Sequence, residues 1–315
     1  MSRLILGLAV IFPLCAQVKI TQQGQQKVSV EIDGKPFTDF YVGPETSKPY
    51  LSPLRTASGI LVTRQYPMAE VAGESRDHPH HRGLWFTHGD VDGYDFWANE
   101  DSEKGEGKGK GKVVLVKINK ISSGRHSGFI DSTFEWQIPG GHTILTETRR
   151  MTFYSDPALR MLDFDSTLSP EEDVTFGDTK EGMFAIRVAD AMDEAHGGKL
   201  VNAQNKSGEK NVWGKRSEWC DYSGKIDGQE VGIAIFDNPA NPRPPTYWHA
   251  RAYGLFAAQV FGLHDFENDK SRDGSLTIHV GQPLRFRYRV VIHPGDVYAA
   301  HIREMYESYK NTKEK

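Results

Sequence analysis

Cysteine is nearly absent from this chain, which has only two cysteines in 315 residues, Cys15 and Cys220. Cys15 lies in an apolar N-terminal stretch that we expect to be removed, which leaves Cys220 alone. A single cysteine cannot form an intramolecular disulfide, so a hydrophobic core must hold the fold together.

The chain also lacks an excess of positive charge and lacks long apolar runs. Its formal net charge is -4 and its sequence pI is about 6.3, so the basic surface that nucleic-acid binding needs is not indicated. Beyond the N-terminus, no apolar run is long enough for a membrane helix. We expect no nucleic-acid partner and no membrane span, and the composition does not indicate an oligomeric state.

Residues 1–16 have the three parts of a secretory signal peptide. Arg3 precedes an apolar run over residues 4–12, and Ala16 is a small residue at the expected cleavage site. The run is too short to span a bilayer. We therefore expect cleavage after Ala16 and a secreted or periplasmic protein. Lipid attachment at Cys15 is the alternative, although Leu14 is a poor residue before that processing site.

Familiar catalytic motifs are missing as well. The sequence contains no G-x-S-x-G, Walker A, H-E-x-x-H or dinucleotide-binding fingerprint. The spacing His-Pro-His-His at residues 78–81 matches no closed metal site. The sequence thus requires no cofactor, and a divalent metal is only a minor alternative.

What the chain does have is period-2 alternation of apolar and polar residues, which is typical of half-buried strands. Residues 284–290 alternate three arginines with apolar side chains, and residues 130–138 and 143–154 flank a Pro-Gly-Gly turn as a hairpin. One helix is predicted, with Asp296 as its N-cap and its end near Lys310. These patterns predict an all-β fold, a large two-sheet antiparallel sandwich with a C-terminal helix, as a single domain over residues 17–315. The Gly/Lys-rich residues 103–112 are expected to form a flexible surface loop.

The most distinctive segment is residues 77–97, which contains four of the chain's twelve histidines. Histidine is the side chain best suited to proton transfer near neutral pH and is a common metal ligand. The alternative is that these side chains only hydrogen-bond loops at the end of a sheet. Their concentration with acids and an arginine favours a functional cluster. Its candidate residues are His78, His80, His81, Arg82, His88, Asp90 and Asp95.

Two further segments carry candidate residues. In residues 175–182, Asp178 and Glu181 lie on either side of a lysine, and paired carboxylates can divide acid and base roles. A charged turn is an equally good interpretation of that segment. After a proline-rich loop, a predicted strand places four polar side chains on one face, which suits a polar cleft for a sugar. These are Tyr247, His249, Arg251 and Tyr253.

Four stretches of the chain resemble a bacterial secreted family labelled "methane oxygenase PmoA-like". They are DHPHHRGLWFTHGDVDGYDFW, GDTKEGMFAIRV, GKRSEWCDYSG and DNPANPRPPTYWHARAYG, within a match over residues 28–293. The resemblance implies a galactose-mutarotase-like β-supersandwich and carbohydrate chemistry. The label conflicts with the absence of membrane helices, because true methane monooxygenase subunits lie in membranes. One departure is residues 259–262, which read QVFG where the family usually has Asn-Pro-Phe-Gly.

The resemblance also implies a set of signature positions on this chain. They are His78, His80, His81, Arg82, His88, Asp90, Asp95, Asp178, Glu181, His249, Arg251 and Tyr253.

Together these features predict an enzyme that acts on a sugar or glycoside by general acid–base catalysis, as an epimerase, lyase or hydrolase. His81 or His88 is expected to transfer one proton and Glu181 or Asp178 the other, with Arg82 and Arg251 stabilising negative charge. The catalytic candidates are His81, His88, Asp178, Glu181, Arg82 and His249. The substrate-binding candidates are His78, His80, Asp90, Asp95, Tyr247, Arg251 and Tyr253. The alternatives are a carbohydrate-binding protein without catalysis and a metal-dependent oxidase or oxygenase.

Overall fold

The computed structural model describes residues 17–311, so the predicted signal peptide lies outside the described residues. Strands make up most of the regular structure. In chain order they are β1 (Val18–Gln23), β2 (Lys27–Ile32), β3 (Lys35–Tyr41), β4 (Tyr50–Ser52), β5 (Leu84–His88), β6 (Lys112–Ser122), β7 (Ser127–Ile138), β8 (His142–Tyr154), β9 (Arg160–Pro170), β10 (Val174–Phe176), β11 (Gly182–Arg187), β12 (Lys199–Asn202), β13 (Trp219–Ile226), β14 (Gln229–Asp237), β15 (Tyr247–Ala250), β16 (Leu255–Gln259), β17 (Leu276–Ile278) and β18 (Leu284–Pro294). The helices are α1 (Glu209–Val212), α2 (Leu263–Phe266) and α3 (Ile302–Lys310), with 3-10 turns at Asp190–Met192 and Glu194–His196.

The strands form two antiparallel sheets of eight strands each, which confirms the predicted two-sheet all-β architecture. The first sheet has the order β1-β2-β3-β4-β5-β11-β16-β15, and the second has the order β12-β13-β14-β18-β9-β8-β7-β6. Strands β10 and β17 pair separately. No helix within residues 17–311 is both long and apolar enough to cross a membrane.

Alternation along the strands explains why one face of the second sheet is exposed to solvent and the other is buried. Strand β9 alternates buried and half-buried residues along its whole length. On its neighbour β18, Phe286 is buried, whereas Arg285 and Arg289 point outward and bind Asp165 and Asp163. The predicted hairpin is formed by β7 and β8. The period-2 pattern therefore places the apolar side chains toward the other sheet.

Aromatic rings from both sheets fill the space between them. Phe86 of the first sheet lies 5.2 Å from Phe164 and 5.4 Å from Phe286 of the second, measured between ring centroids. Phe184 of the first sheet stacks on Tyr288 of the second at 4.6 Å. Such packing buries large apolar areas and fixes how the sheets face each other.

The C-terminal helix is present, but its predicted start was wrong. Asp296 caps a separate turn, because its carboxylate accepts from the amides of Tyr298 and Ala299. The chain then passes through His301 in a left-handed conformation before α3 begins. That residue interrupts the helical path, so the turn and α3 are distinct elements.

The predicted loop at residues 103–112 lies at the surface and is largely irregular, and hydrogen bonds tie it to the preceding segment. Its backbone pairs with the segment before it, since the amide of Lys108 donates to the carbonyl of Gly93 at 2.7 Å. The Lys110 ammonium donates to the carbonyls of Glu100 and Glu103. The main-chain hydrogen bonds and those of Lys110 hold this segment against residues 93–103. It has few apolar side chains to bury.

Candidate functional site

A row of cross-strand neighbours on the outer face of the first sheet ends at His249, one of the residues that line the candidate site. Trp85 of β5 pairs with Ala185 of β11, which pairs with Ala257 of β16, which in turn pairs with His249 of β15. Residues that oppose each other in a sheet share a face. Two alanines therefore lie between a tryptophan and a histidine. Trp97 packs on this row and itself lines the pocket.

A pocket of about 430 Å³ is lined by Trp97, His249 and their neighbours, and its volume is within the usual size range of ligand sites. Its walls come from all three segments that the sequence singled out. The lining residues are His78, His80, His81, Gly89, Asp95, Trp97, Ala98, Glu106, Thr179, Lys180, Glu181, His249, Arg251 and Tyr253.

A cavity of similar volume, about 420 Å³, lies on the outer face of the second sheet. Its charged side chains are cross-strand ion pairs, such as Arg150 with Asp131 and Arg285 with Asp165. Arg149 also lines this cavity and pairs with Glu147 of its own strand, so the charges there are already paired, as is ordinary for a sheet face. We therefore place the candidate site in the histidine-lined pocket.

Stacked rings form one wall of the pocket. His78 lies parallel to His81 with ring centroids 4.7 Å apart, and His81 lies over Trp85 at 5.1 Å. Tyr253 lies nearly parallel to both rings, 5.2 Å from His78 and 6.4 Å from His81. His80 meets the His81 ring edge-on at 4.4 Å. The tight turn before β5 makes this possible, because His78 adopts a positive φ of 45° that brings the three histidines together.

His81 is a buried, neutral hydrogen-bond donor. The Arg187 guanidinium donates to its Nδ1 at 3.3 Å, and a guanidinium has no acceptor atom. Nδ1 must therefore be unprotonated, and the neutral ring carries its proton on Nε2. Burial lowers the pKa of His81 well below its usual value, and the neighbouring His80, His78 and Arg187 lower it further.

The buried Arg64 and Arg187 share the carboxylate of Asp77 in an ion-pair cluster beside His81. Asp77 accepts from Arg64 at 2.5 Å and from Arg187 at 2.9 Å, and it also pairs with Nδ1 of His78 at 2.5 Å. Burial by itself would raise the pKa of Asp77. The hydrogen bonds from His78 and Arg187 and the charges of both arginines outweigh that effect and hold the pKa well below its usual range.

His249 has the opposite tautomer. Its Nδ1 lies 3.1 Å from the carbonyl oxygen of Lys180, which can only accept, so Nδ1 carries the proton and Nε2 has the free lone pair. Burial lowers the pKa of His249 to about 4, although the nearby Glu181 opposes the shift. The ring is therefore neutral at pH 7. The pocket holds one imidazole fixed as a donor and another fixed as an acceptor.

Glu181 supplies an ionised carboxylate beside His249. Its Oε1 pairs with the Lys180 ammonium at 3.0 Å, and its Oε2 lies 3.8 Å from Nδ1 of His249. Burial would raise the pKa of Glu181, but the interactions with His249 and Lys180 outweigh it, so the pKa lies below the usual value. With its side chain 30% exposed, this carboxylate is accessible from the pocket.

The remaining wall offers hydrogen bonds and an aromatic face. Burial raises the pKa of Tyr253 to about 12, so its hydroxyl keeps its proton. The Trp97 indole N–H is buried and finds no acceptor within residues 17–311. Arg251 lies at the rim, 3.3 Å from a Glu209 oxygen. Buried polar atoms are normally paired, so this indole N–H is an exception inside the fold, and what Trp97 adds to the pocket wall is its aromatic ring.

The structure places His88 and Arg82 outside the pocket. The Nε2 of His88 donates to the carbonyl of Gly177 at 2.8 Å, and its Nδ1 faces the Gln259 amide at 3.2 Å. Both ring nitrogens are thus occupied within the fold. Arg82 instead pairs with Glu100 at 2.9 Å, below the surface of the same sheet. Neither side chain is positioned to meet a ligand in the pocket.

Three other predicted residues also lie outside it. Asp178 accepts from the backbone amides of His264 and Gly274, which ties two loops together. Asp90 accepts from the amide of Gly93 at 2.8 Å within a turn. The Tyr247 hydroxyl donates to Glu267 at 2.5 Å. Asp95 and His80 do line the pocket, yet Asp95 accepts backbone amides and His80 binds Glu103 at 2.6 Å.

The sequence interpretation missed several residues of the site. Trp97, Lys180 and Glu106 line the pocket, and Arg187 lies directly behind it. Arg187 ends a strand whose residues are all buried. An arginine in such an apolar run requires a buried partner, and that signal was available in the sequence. Nothing in the sequence indicated that Glu106 would reach the pocket from the Gly/Lys-rich segment.

No group of three or more His, Cys, Asp or Glu side chains in the described part of the chain is arranged to hold a metal ion. The histidine rings stack face to face and edge to face. In this arrangement His78 and His80 use their Nδ1 atoms for Asp77 and Glu103, and His81 uses its Nδ1 for Arg187. Their lone pairs are therefore not gathered around one point.

The fold and site together define a class of protein, a large two-sheet β-sandwich with a polar, histidine-lined pocket on the outer face of one sheet. The chain belongs to DUF6807, a family of unknown function whose model matches residues 27–307. No curated protein gives a match to the sequence. The methane-oxygenase label suggested by the motifs is not part of this family description, so it stays a prediction.

Several solved structures are similar in outline. A galactose mutarotase related enzyme from Lactobacillus acidophilus has 8% identity and a TM-score of 0.36, with 88% of this chain and 97% of that chain covered. A galactose mutarotase-like protein from Clostridium acetobutylicum has 10% identity and a TM-score of 0.45, with 88% and 98% covered. A GH36 alpha-galactosidase from Geobacillus stearothermophilus has 8% identity and a TM-score of 0.42, with 89% of this chain but 40% of that chain covered. At these TM-scores the likeness carries no argument about function.

Proposed function

We propose that this protein is an enzyme that acts on a sugar or glycoside by general acid–base catalysis, as an epimerase, a lyase or a hydrolase. One observation carries the proposal: a single pocket contains an ionised carboxylate, an imidazole fixed as acceptor and an imidazole fixed as donor. These are Glu181, His249 and His81. Acid–base catalysis needs neighbouring groups that their surroundings keep in different protonation states.

The pocket wall suits a neutral polyhydroxylated ligand. Sugar hydroxyls both donate and accept, and the wall offers the acceptor nitrogen of His249 and the donor nitrogen of His81. The cations Lys180 and Arg251 already pair with Glu181 and Glu209. The ring of Tyr253 adds an aromatic surface of the kind on which sugar rings stack.

The proposed roles follow from the protonation states. Glu181 takes a proton from the substrate, because it is ionised and accessible. His81 donates a hydrogen bond through Nε2–H to the substrate oxygen that gains negative charge, and Arg251 stabilises that charge from the rim. His249 accepts a hydrogen bond at Nε2 and orients the substrate. These steps use only residues of this chain, so the proposed reaction requires no cofactor.

The proposal is tested by incubating the purified protein with a panel of free aldoses and glycosides and following each by proton NMR. Anomer exchange, elimination and bond cleavage give different spectra, so the reaction type is read directly. Glu181→Gln should lower the rate by about 10²- to 10⁴-fold, the usual contribution of a general base. His142→Gln is the control, because His142 is 62% exposed and pairs only with Glu172.

If Glu181→Gln turns substrate over as fast as the wild type, Glu181 is not the base and the proposed mechanism is wrong. If no member of the panel is converted although several bind, the catalytic proposal fails as a whole.

One observation favours a second candidate, a carbohydrate-binding protein without catalysis. Burial lowers the pKa of His249 to about 4, and that of His81 is also well below its usual value. Imidazoles that stay neutral over most of the pH range are good hydrogen-bonding groups but poor proton donors. Titration calorimetry that shows binding without heat from turnover, over the same sugar panel, would support this candidate.

A further inference from the structure

The His81 ring lines the pocket on one side and contacts the Arg187 guanidinium on the other. Its Nδ1 lies 3.3 Å from Nη1 of Arg187. A guanidinium is always charged and has only donors. Contact with it therefore forbids a proton on Nδ1, whatever the pH within the range in which the protein is folded.

Arg187 is itself held in place on several sides. Its Nη2 donates to Oδ1 of Asp77 at 2.9 Å and its Nη1 faces Oδ2 at 3.2 Å, which is a two-pronged ion pair. The Tyr253 ring covers the guanidinium, with 4.6 Å between its central carbon and the ring centroid. The side chain is 1% exposed, so the direction of its donors is set by packing.

Arg64 occupies a comparable position without the contact to His81. It is also buried and also donates to Asp77, and its other bonds go to Ser75 and to the backbone carbonyls of Asp77 and His78. Two buried arginines thus share one carboxylate, and within residues 17–311 Arg187 is the one hydrogen-bonded to the His81 imidazole. This pair makes a matched comparison possible.

We propose that Arg187 is a positioning residue that fixes His81 as the Nε2-protonated tautomer, so that His81 presents a permanent N–H donor to the pocket. The catalytic consequence rests on the proposed function, but the tautomer does not. With Nε2 protonated, His81 cannot accept a proton from the substrate. The base must then be Glu181 or His249, whose Nε2 is left free by the opposite arrangement.

The tautomer is tested directly by NMR of the full chain labelled with ¹⁵N-histidine. Long-range proton–nitrogen correlations distinguish a protonated ring nitrogen from one with a free lone pair, and the spectrum of His81→Gln identifies the His81 signals. We expect the wild type to show a protonated Nε2 and an unprotonated Nδ1 near neutral pH. A protonated Nδ1 in the wild type overturns the proposal without any further variant.

Substitutions of Arg187 and Arg64 then test whether Arg187 sets the tautomer of His81. Arg187→Met removes the donor and should shift the ring toward the Nδ1-protonated form or a mixture, whereas Arg64→Met should leave the His81 tautomer as in the wild type. Arg187→Lys restores a group that can only donate and should restore the wild-type tautomer. An unchanged tautomer in Arg187→Met, or the same change in Arg64→Met, contradicts the assignment.

A kinetic measurement separates this inference from the proposed function. If a sugar is turned over, Arg187→Met should lower kcat more than it raises KM, with partial recovery in Arg187→Lys. A wrongly placed imidazole proton can cost up to about 10⁴ in rate. If no sugar is turned over, the proposed function fails and the NMR result still decides the tautomer.

Discussion

The carboxylate of Glu181 lies 3.8 Å from Nδ1 of His249, yet that nitrogen donates its hydrogen bond to the backbone carbonyl of Lys180 at 3.1 Å. The backbone, and not the carboxylate, therefore sets the tautomer of the imidazole. Glu181 keeps its negative charge for the pocket, paired at 3.0 Å with the Lys180 ammonium. A histidine whose Nδ1 is held by a carbonyl presents Nε2 to its surroundings.

The first prediction is the pH dependence of activity. The pKa of Glu181 lies below its usual value and that of His249 is about 4. Activity should therefore be level from slightly acidic to neutral pH and should fall only as the pH drops toward 4, when His249 gains a proton and Glu181 loses its charge. The measurement is kcat/KM against pH for the converted sugar. A midpoint near the ordinary histidine pKa of about 6.5 would contradict these protonation states.

The second prediction concerns stability at acidic pH. Burial lowers the pKa of His88 and of His249 to about 4, so the unfolded chain binds these protons between pH 6.5 and 4 while the folded protein does not. The free energy of unfolding should therefore decrease as the pH falls through this window, by up to about 1.4 kcal/mol per pH unit for each such histidine.

Urea unfolding at a series of pH values tests the second prediction. His88→Gln should lessen the slope by about one proton, because it removes one of these groups. His142→Gln should leave the slope unchanged, since His142 is largely exposed. Equal slopes for the wild type and His88→Gln would show that His88 titrates normally in the folded protein.

A third prediction is that Asp77→Asn is strongly destabilising. The substitution leaves the buried guanidiniums of Arg64 and Arg187 without their shared carboxylate. Breaking a buried pair costs about 3–5 kcal/mol, and we expect about 2–4 kcal/mol here because Asp77 is 38% exposed and solvent screens part of the interaction. Asp131→Asn is the control. It breaks a pair with Arg150, which is 54% exposed, and should cost less than about 1 kcal/mol. Similar losses in the two variants would mean that the Asp77 pair contributes no more than a surface pair.

The fourth prediction separates the ring of Tyr253 from its hydroxyl. Tyr253→Phe keeps the surface that stacks on His78 and loses one hydrogen bond, so sugar affinity should fall by about 0.5–1.5 kcal/mol. Tyr253→Ala also removes the stacking surface and should weaken binding further. Titration calorimetry with the tightest-binding sugar measures both. Wild-type affinity in Tyr253→Ala would place the sugar elsewhere in the pocket.

The fifth prediction concerns metal dependence. We expect chelation followed by metal analysis to leave a metal-free protein with full activity, because the proposed steps use only side chains of this chain. Adding divalent metals back should not change the rate. Activity that is lost with the metal and recovered on its return would favour the oxidase alternative over the acid–base proposal.

Local sequence pattern was enough to predict much of the fold. The alternation in residues 284–290 placed the arginines of β18 outside and Phe286 inside, and the Pro-Gly-Gly turn located the hairpin of β7 and β8. The helix start was wrong because His301 adopts a left-handed conformation, and no residue type in that stretch requires it. The surface position of residues 103–112 was predicted, whereas the hydrogen bonds of its main chain and of Lys110 could not be, because they depend on the tertiary structure.

The sequence alone determined that the chain is all-β and which segments concentrate imidazoles, acids and arginines. Only the tertiary structure decided which of these side chains line the pocket. His81, Glu181 and His249 do so, whereas His88 and Asp178 form hydrogen bonds with backbone groups elsewhere in the fold. The physical reason is that alternation assigns a residue to one face of its own strand. The partner that fixes a proton is often distant in sequence: Arg187 and His81 are separated by 106 positions, and only the packing of β11 against β5 brings them together.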